Sequence, residues 1–376
     1  MTRRLRLAVV RQRYNPFGGA ERFVARSLGA LERAGTEVTL ITRKAEGWGA
    51  RRVLRVDPFH VGNLWRDRSF ARAARNAWRR EGFDIVQSHE RIPGCDVYRA
   101  GDGVHSRWLE IRRSKAAFFE RLGMALNPYH RYVCAAEKQM FEHPRLRAVI
   151  CNSRIVRDEI RRAFRIAPEK LHVIYNGVDL EHFHPRERER LRGAARAELG
   201  CRPRDTVFLH VGSGFARKGL DAAIDALAAA GNEVFWLAVA GRDRDLEKFR
   251  QRAKAAGVAK RVHFFGGRED VRPLYAAADC FILASRYDPF PNTALEALAM
   301  GLPAIVSSRC GAAEVIEPGV NGWVCEPDDP PGLAQLMRTA GSAIQGEGLA
   351  QAVRASAERF GVDDMARQLA ELYATL

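Results

Sequence analysis

The chain is poor in the features that mark several protein classes. Its 376 residues include only seven cysteines, scattered and with no C-x-x-C pair. That speaks against a disulfide scaffold or a zinc site and for a reducing compartment, the cytoplasm. No apolar run approaches the roughly 18 residues of a membrane span. The LAVV after Arg3, Arg4 and Arg6 is too brief for a signal-peptide core and reads as a first strand. There is no low-complexity segment, and at 47% hydrophobic residues the chain is expected to fold. Neither a G-x-G-x-x-G dinucleotide fingerprint nor a G-x-x-x-x-G-K-[ST] phosphate loop occurs.

What is present is uneven. Residues 1–180 carry 36 Lys+Arg against 19 Asp+Glu, a net +17, and residues 181–376 carry 25 against 26, a net −1. Arginine-rich composition alone would load both halves, so the asymmetry points to an anionic partner for the first half. Apolar runs at 7–10, 37–42, 84–88 and 147–151 read as strands separated by helix-like segments such as 20–34 and 69–80. The alternation restarts at 206–212, 234–241, 261–266, 279–285 and 302–307. Two such series predict two α/β domains with mainly parallel sheets, whose loops beyond the strand ends bind ligands and which face each other across a cleft. The expected division is 1–170 and 171–361, with a hinge in IYNGVDLEHFHP. The charged run 186–198 reads as a solvated helix.

The densest stretch is SRYDPFPNTALEALAMGLPAIVS (285–307). Asn292 reads as an N-cap, with Glu296 in the first turns of the helix and Asp288 in the loop before it. Carboxylates accept hydrogen bonds from hydroxyls, and helix-terminal amides hold phosphates, so a nucleotide-sugar suits the pair. GSGFARKGL (212–220) delivers Arg217 and Lys218 to a helix start after a strand, which makes a pyrophosphate site or else a solvated basic turn. Gly18-Gly19 allows close backbone approach to a ligand, or serves chain geometry only. Asp102 and His105 lie in a glycine-rich loop where they could orient an acceptor hydroxyl, or simply form a turn. Residues 107–132 mix Arg with Trp, Phe and Tyr at helical spacing, as either a membrane-interface helix or an ordinary core helix. Asp243-Arg244-Asp245 reads as a helix cap, and His182-x-His184 lacks further ligands at metal spacing.

Taken together, FGGAERF, NS at 152–153, YNGVD at 175–179, VGSGFARKG at 211–219 and YDPFPNTALEALAMGLP at 287–303 resemble the family 4 retaining glycosyltransferases of GT-B fold. HFFGGREDV (263–271) and the PGCDVYRAGD loop are similar to the branch that adds glucose to heptose in the lipopolysaccharide core. The resemblance implies two Rossmann-like doubly wound domains, the first for acceptor and the second for donor, with a C-terminal helix (362–376) crossing back to the first. It implies that Arg217 and Lys218 hold the donor diphosphate and that Glu296 binds the ribose. Asp288 contacts the donor sugar, with Phe290, Asn292, Thr293 and Arg268 completing the donor site. Gly18 and Gly19 close over the phosphates, and Asp102 and His105 lie on the acceptor side. Asp102, Arg217, Lys218 and Asp288 are the expected catalytic set, with no metal or other cofactor. The implied substrates are a UDP-sugar and an anionic lipid-linked oligosaccharide, met at the cytoplasmic face of the inner membrane. Nucleic acid is not an expected partner, because the aromatics form no recognisable module for it. The chain departs from the family twice: Asp288 stands where the first glutamate is usual, and Pro291 where a glycine is usual. The alternatives are transfer from another sugar nucleotide, a GT-B epimerase, and a non-enzymatic binder of anionic surfaces.

Overall fold

The computed structural model describes residues 4–14, 29, 31–33, 35–45, 52–344, 346 and 348–376. Gly18, Gly19 and most of the segment 20–34 therefore lie outside the described residues. The chain forms two compact units, residues 1–176 with 362–376, and residues 177–361.

The first unit is built on strands β1 (Arg6–Val10), β2 (Arg13–Tyr14), β3 (Glu37–Thr42), β4 (Lys44–Ala45), β5 (Arg52–Arg55), β6 (Ile85–Ser88), β7 (Val97–Ala100), β8 (Ala148–Cys151) and β9 (Leu171–Val173). Seven of them make one parallel sheet in the order β5-β3-β1-β6-β7-β8-β9, and β2 and β4 pair separately. The central strands are continuous apolar runs because helices cover both faces of the sheet. On one face, Phe70, Ala74 and Trp78 of the helix Gly62–Glu81 pack with Val10, Val86, Tyr98 and Val149. That helix stops at Gly82, which takes φ 64° and returns its N–H to Trp78 O. On the other face, Met365, Leu369, Leu372 and Tyr373 of the helix Val362–Ala374 pack on Leu7, Val9, Leu40 and Ile85. β9 pairs with β8, so residues 171–176 belong with this unit.

The second unit contains β10 (Thr206–Val211), β11 (Phe235–Ala240), β12 (Val262–Gly266), β13 (Cys280–Leu283), β14 (Ala304–Ser307) and β15 (Gly322–Cys325). They form a parallel sheet in the order β12-β11-β10-β13-β14-β15. The order changes direction beside β10 and β13, and the helices Leu220–Ala229 and Asn292–Ala299 both start at that point. Both units are thus Rossmann-like doubly wound α/β domains.

Three local expectations need correction. The run 186–198 is helical, within Pro185–Leu199, but it is not simply solvated. Arg196 is buried, and Arg192 and Arg196 converge on Asp279 at 2.5 and 3.1 Å. His184 caps this helix by accepting from Arg186 N at 3.1 Å. The stretch 107–132 is not one helix either. It is divided among His105–Lys115, Phe118–Leu126 and Pro128–Phe141, with breaks at Ala116-Ala117 and at Asn127-Pro128, where Pro128 has no N–H to continue the ladder. Finally, the Asp243-Arg244-Asp245 run caps by position only: Asp245 is the N-cap residue of Leu246–Ala255 but makes no side-chain cap bond, and Asp243 serves elsewhere. Its Oδ2 accepts from Phe215 N at 2.7 Å and so ties down the loop ahead of Arg217.

Candidate active site

In the second unit the loop after β10 carries Arg217 and Lys218 to the start of Leu220–Ala229, and the loop after β13 carries Asp288. The structure brings the three together. Lys218 Nζ lies 3.1 Å and Arg217 Nη1 3.2 Å from Asp288 Oδ2, and Arg217 Nη1 also donates to Tyr287 O at 2.9 Å. Burial raises the Asp288 pKa, but the Lys218 and Arg217 charges and hydrogen bonds outweigh it and hold the carboxyl below its ordinary value. The triad keeps one net positive charge at the C-terminal end of the sheet, where parallel sheets bind ligands.

Two glycines make this geometry possible. A Cβ on Gly212 would lie 2.6 Å from Lys218 Cδ, so the missing side chain leaves the path by which lysine reaches Asp288. Gly219, at φ +71°, caps the helix, and a Cβ there would sit 1.9 Å from Ala284 O. Arg286 fastens the same loop by donating to Ala216 O and to Asp221 and Asp328.

Glu296 lies one turn into the helix Asn292–Ala299. Pro291, not Asn292, is the N-cap; its fixed φ, here −76°, suits a helix entry, so Asn292 becomes the first helical residue. The Ala294 N–H, one of the amides at this helix start, donates to Pro291 O at 3.2 Å. Sequence reasoning missed Tyr275, whose single hydroxyl proton is shared between Glu296 Oε2 at 2.9 Å and Thr293 O at 3.1 Å. A buried tyrosine needs a partner for its hydroxyl, but nothing in the sequence says which one. Phe290 is buried beside this helix start. Arg268, one of the expected donor residues, lies over the Phe265 ring and bonds Glu198 at 2.7 Å.

In the first unit Asp102 lies two residues beyond β7 and is exposed, with Arg91 Nη1 at 3.9 Å. His105 opens the helix His105–Lys115, whose cap residue Val104 has no side-chain acceptor. The buried Glu137 of Pro128–Phe141 replaces one, accepting from His105 N at 2.9 Å while it pairs with Arg91 Nε at 2.7 Å. The His105 ring meets His130 at 3.1 Å, and burial followed by Arg91, His130 and Arg112 lowers its pKa to about 4. His105 is therefore a neutral side chain at neutral pH. Glu137 and His130 went unnoticed because they lie 25 or more residues from His105. Among the described residues no group of three or more His, Cys, Asp or Glu is placed to hold a metal ion.

Comparison with known proteins places these halves. Residues 17–182 match the model of Glycosyltransferase Family 4, and residues 192–352 that of Glycosyl transferases group 1. The lipopolysaccharide glucosyltransferase WaaG of Escherichia coli is 27% identical over 87% of this chain and 87% of its own length. The lipopolysaccharide core biosynthesis glycosyltransferase LpsE of Rhizobium meliloti is 26% identical over 85% of this chain and 84% of its own. A crystal structure of WaaG superposes with a TM-score of 0.84 at 25% identity, covering 98% of this chain and 99% of that one. The Anabaena HepE structure in complex with UDP-glucose shares the fold, with a TM-score of 0.74 at 21% identity over 99% of this chain and 100% of HepE. With its two doubly wound domains, the chain is a glycosyltransferase of the GT-B fold, its first half a family 4 domain and its second a group 1 domain.

Proposed function

We propose that the enzyme transfers glucose from UDP-glucose to a heptose hydroxyl of the lipopolysaccharide core, with retention of anomeric configuration. The observation that carries this reading is the convergence of Arg217, Lys218 and Asp288 on one point at the end of the donor-type sheet. As the glycosidic bond breaks, charge develops on the leaving diphosphate, and fixed cations aimed at that position stabilise it. They supply the charge that a divalent ion supplies in other transferases, so turnover is expected to persist in EDTA. Asp288 meets the donor sugar and Glu296 the ribose hydroxyls, while Asp102 and His105 serve the acceptor. The likeness to WaaG, named for lipopolysaccharide glucosyl transfer, and to HepE, solved with UDP-glucose, supports the choice of substrates. The test is a panel of UDP-, GDP- and ADP-sugars with and without a heptose-containing acceptor. Turnover only with UDP-glucose plus acceptor is the expected result. Transfer from another sugar nucleotide would replace the donor assignment, and donor conversion without acceptor would make the protein an epimerase.

The acceptor is lipid-linked, and the first unit carries a surface suited to its membrane at the cytoplasmic face. On the helix Phe118–Leu126, Phe118, Phe119, Leu122 and Leu126 are exposed, and Arg107, Arg112, Arg113, Arg121 and Arg131 are exposed nearby. Apolar side chains flanked by arginines fit an interfacial position on anionic lipid. No helix among the described residues is long and apolar enough to cross a membrane. Flotation with phosphatidylglycerol vesicles should be strong and should fall in the Phe118→Ser/Phe119→Ser double variant; indifference to anionic lipid would remove this contact.

A further inference from the structure

One turn of the second unit departs from ordinary backbone. Asp328, between β15 and the helix Pro330–Ala343, has a φ of 64° and is the one non-glycine residue with positive φ among the described residues. The left-handed region disfavours any side chain with a Cβ, although aspartate tolerates it better than most. Such strain persists only where the surroundings hold it. Both flanks do so here. Glu326 accepts from Ser308 Oγ at 3.0 Å, and Asp329 caps the following helix by accepting from Gly332 N at 3.1 Å. Between these two anchors the Asp328 carboxylate reaches Arg286 Nη2 at 2.7 Å.

Arg286 works on the loop that carries the two donor-half cations. Its guanidinium pairs with Asp221 by two prongs, Nη1 to Oδ1 at 3.1 Å and Nη2 to Oδ2 at 2.6 Å, and Nη1 also donates to Ala216 O. Its backbone N–H donates to Arg217 O at 2.8 Å. One residue therefore holds two successive carbonyls, and with them the peptide planes on both sides of Arg217. The next two residues act on the same pair. Tyr287 O accepts from Arg217 Nη1 at 2.9 Å, and Asp288 meets both Arg217 and Lys218. Residues 286, 287 and 288 thus grip Arg217 and Lys218 in order, backbone first and side chains after. Arg286 is not a third cation for the diphosphate. Two carboxylates match its charge twice over, and its side chain is only 18% exposed.

We propose that Arg286 and Asp328 are positioning residues for transfer, and that the strained turn at Asp328 is kept for that purpose. Asp328 and Asp221 fix the guanidinium, the guanidinium fixes the peptides around Arg217, and these aim both cations at the place where charge develops on the leaving group. This rests on the transferase reading given above.

The test separates positioning from plain stability. Asp328→Gly removes the carboxylate but relieves the strained φ, so it should melt within about 4 °C of wild type. In steady-state assays with UDP-glucose and the heptose acceptor its kcat should nevertheless fall about tenfold, the scale of one lost hydrogen bond. KM for UDP-glucose should hardly move, because the misaimed charge is felt in the transition state. Asp328→Asn tolerates the same φ and still accepts from Arg286 through its amide oxygen, so it should recover most of the loss. Added to Lys218→Ala, Asp328→Gly should lower kcat little further, since much of what it positions is already gone. An Asp328→Gly variant with wild-type kcat, one that melts well below wild type, an Asn variant no better than the Gly variant, or losses that multiply in the double variant would each overturn the inference and leave the transferase reading standing. A wild-type protein inactive with every sugar nucleotide and acceptor removes that reading, and the inference with it.

Discussion

Replacing Asp288 by asparagine tests the donor-half triad most directly. The substitution keeps the shape and deletes the charge that Lys218 and Arg217 share at 3.1 and 3.2 Å. At an effective dielectric of about 20, each contact represents ~5 kcal/mol of gross attraction, most of it offset by the desolvation of the three groups. Removing one member of a buried set typically costs about 3–5 kcal/mol net, because the other charges remain without compensation. Arg217 is one-third exposed, so solvent screens its share and the low end, about 3 kcal/mol, is expected. For a unit of this size the melting point shifts by ~2–4 °C per kcal/mol, so Asp288→Asn should melt about 6–12 °C below wild type at pH 7. The pH dependence has a definite sign. The folded carboxyl titrates below its unfolded value of 3.8, so its contribution is fully present above that value and is lost as pH falls through the folded pKa. The gap between wild type and variant should hold from pH 7 to 5 and narrow only below about pH 4. UDP should raise the melting point of the variant more than that of wild type, since a diphosphate supplies the missing negative charge. A variant that melts within 2 °C of wild type across this range would refute the triad as a stabilising unit.

Other expectations follow from the same geometry. Lys218→Ala should lower kcat with UDP-glucose by about 10²–10³, the scale for losing one preorganised charge-stabilising donor; near wild-type turnover would end its assignment to the diphosphate. Gly212→Ala should reproduce much of that loss, because the added Cβ takes space that the lysine stem occupies, and a crystal structure should find Lys218 displaced from Asp288. Tyr275→Phe removes the hydroxyl that steadies Glu296 and should weaken UDP binding about 2- to 10-fold in calorimetry. With 2′,3′-dideoxy-UDP the two proteins should bind alike, and an equal deficit there would separate Tyr275 from ribose recognition.

The parts of this fold that were legible in the sequence are those whose burial is continuous. FWLAVA, CFIL and AIVS lie inside a sheet covered on both faces, so the apolar runs announce themselves. Edge strands do not: RVLR has arginine at both ends, and GWVC is four residues behind an Asn-Gly turn. The strand VYRA was hidden in what read as a loop, because Arg99 interrupts its apolar pattern; its guanidinium is buried and bonds Asn176 at 2.8 Å. The same divide runs through the site. Arg217, Lys218, Asp288 and Glu296 were visible as charged residues in loops and helix starts next to strands. Their supporting partners Tyr275 and Arg286 were not, nor was Glu137 beneath His105, because support is a matter of three-dimensional proximity between residues tens of positions apart. The Asn292 cap was misjudged because a proline before it already supplies the entry angle.

The helix Val362–Ala374 belongs to the first unit, though the whole of the second unit separates it from the rest of that unit in the chain. Synthesis runs from the N-terminus, so the earlier-made sheet waits with the face of Leu7, Val9, Leu40 and Ile85 lacking Met365, Leu369, Leu372 and Tyr373 while residues 177–361 emerge and can fold as a body. The domain begun first on the ribosome is therefore completed last. A nascent chain stalled after residue 361 should expose a sticky hydrophobic patch and engage chaperones, and thirteen more residues should release it.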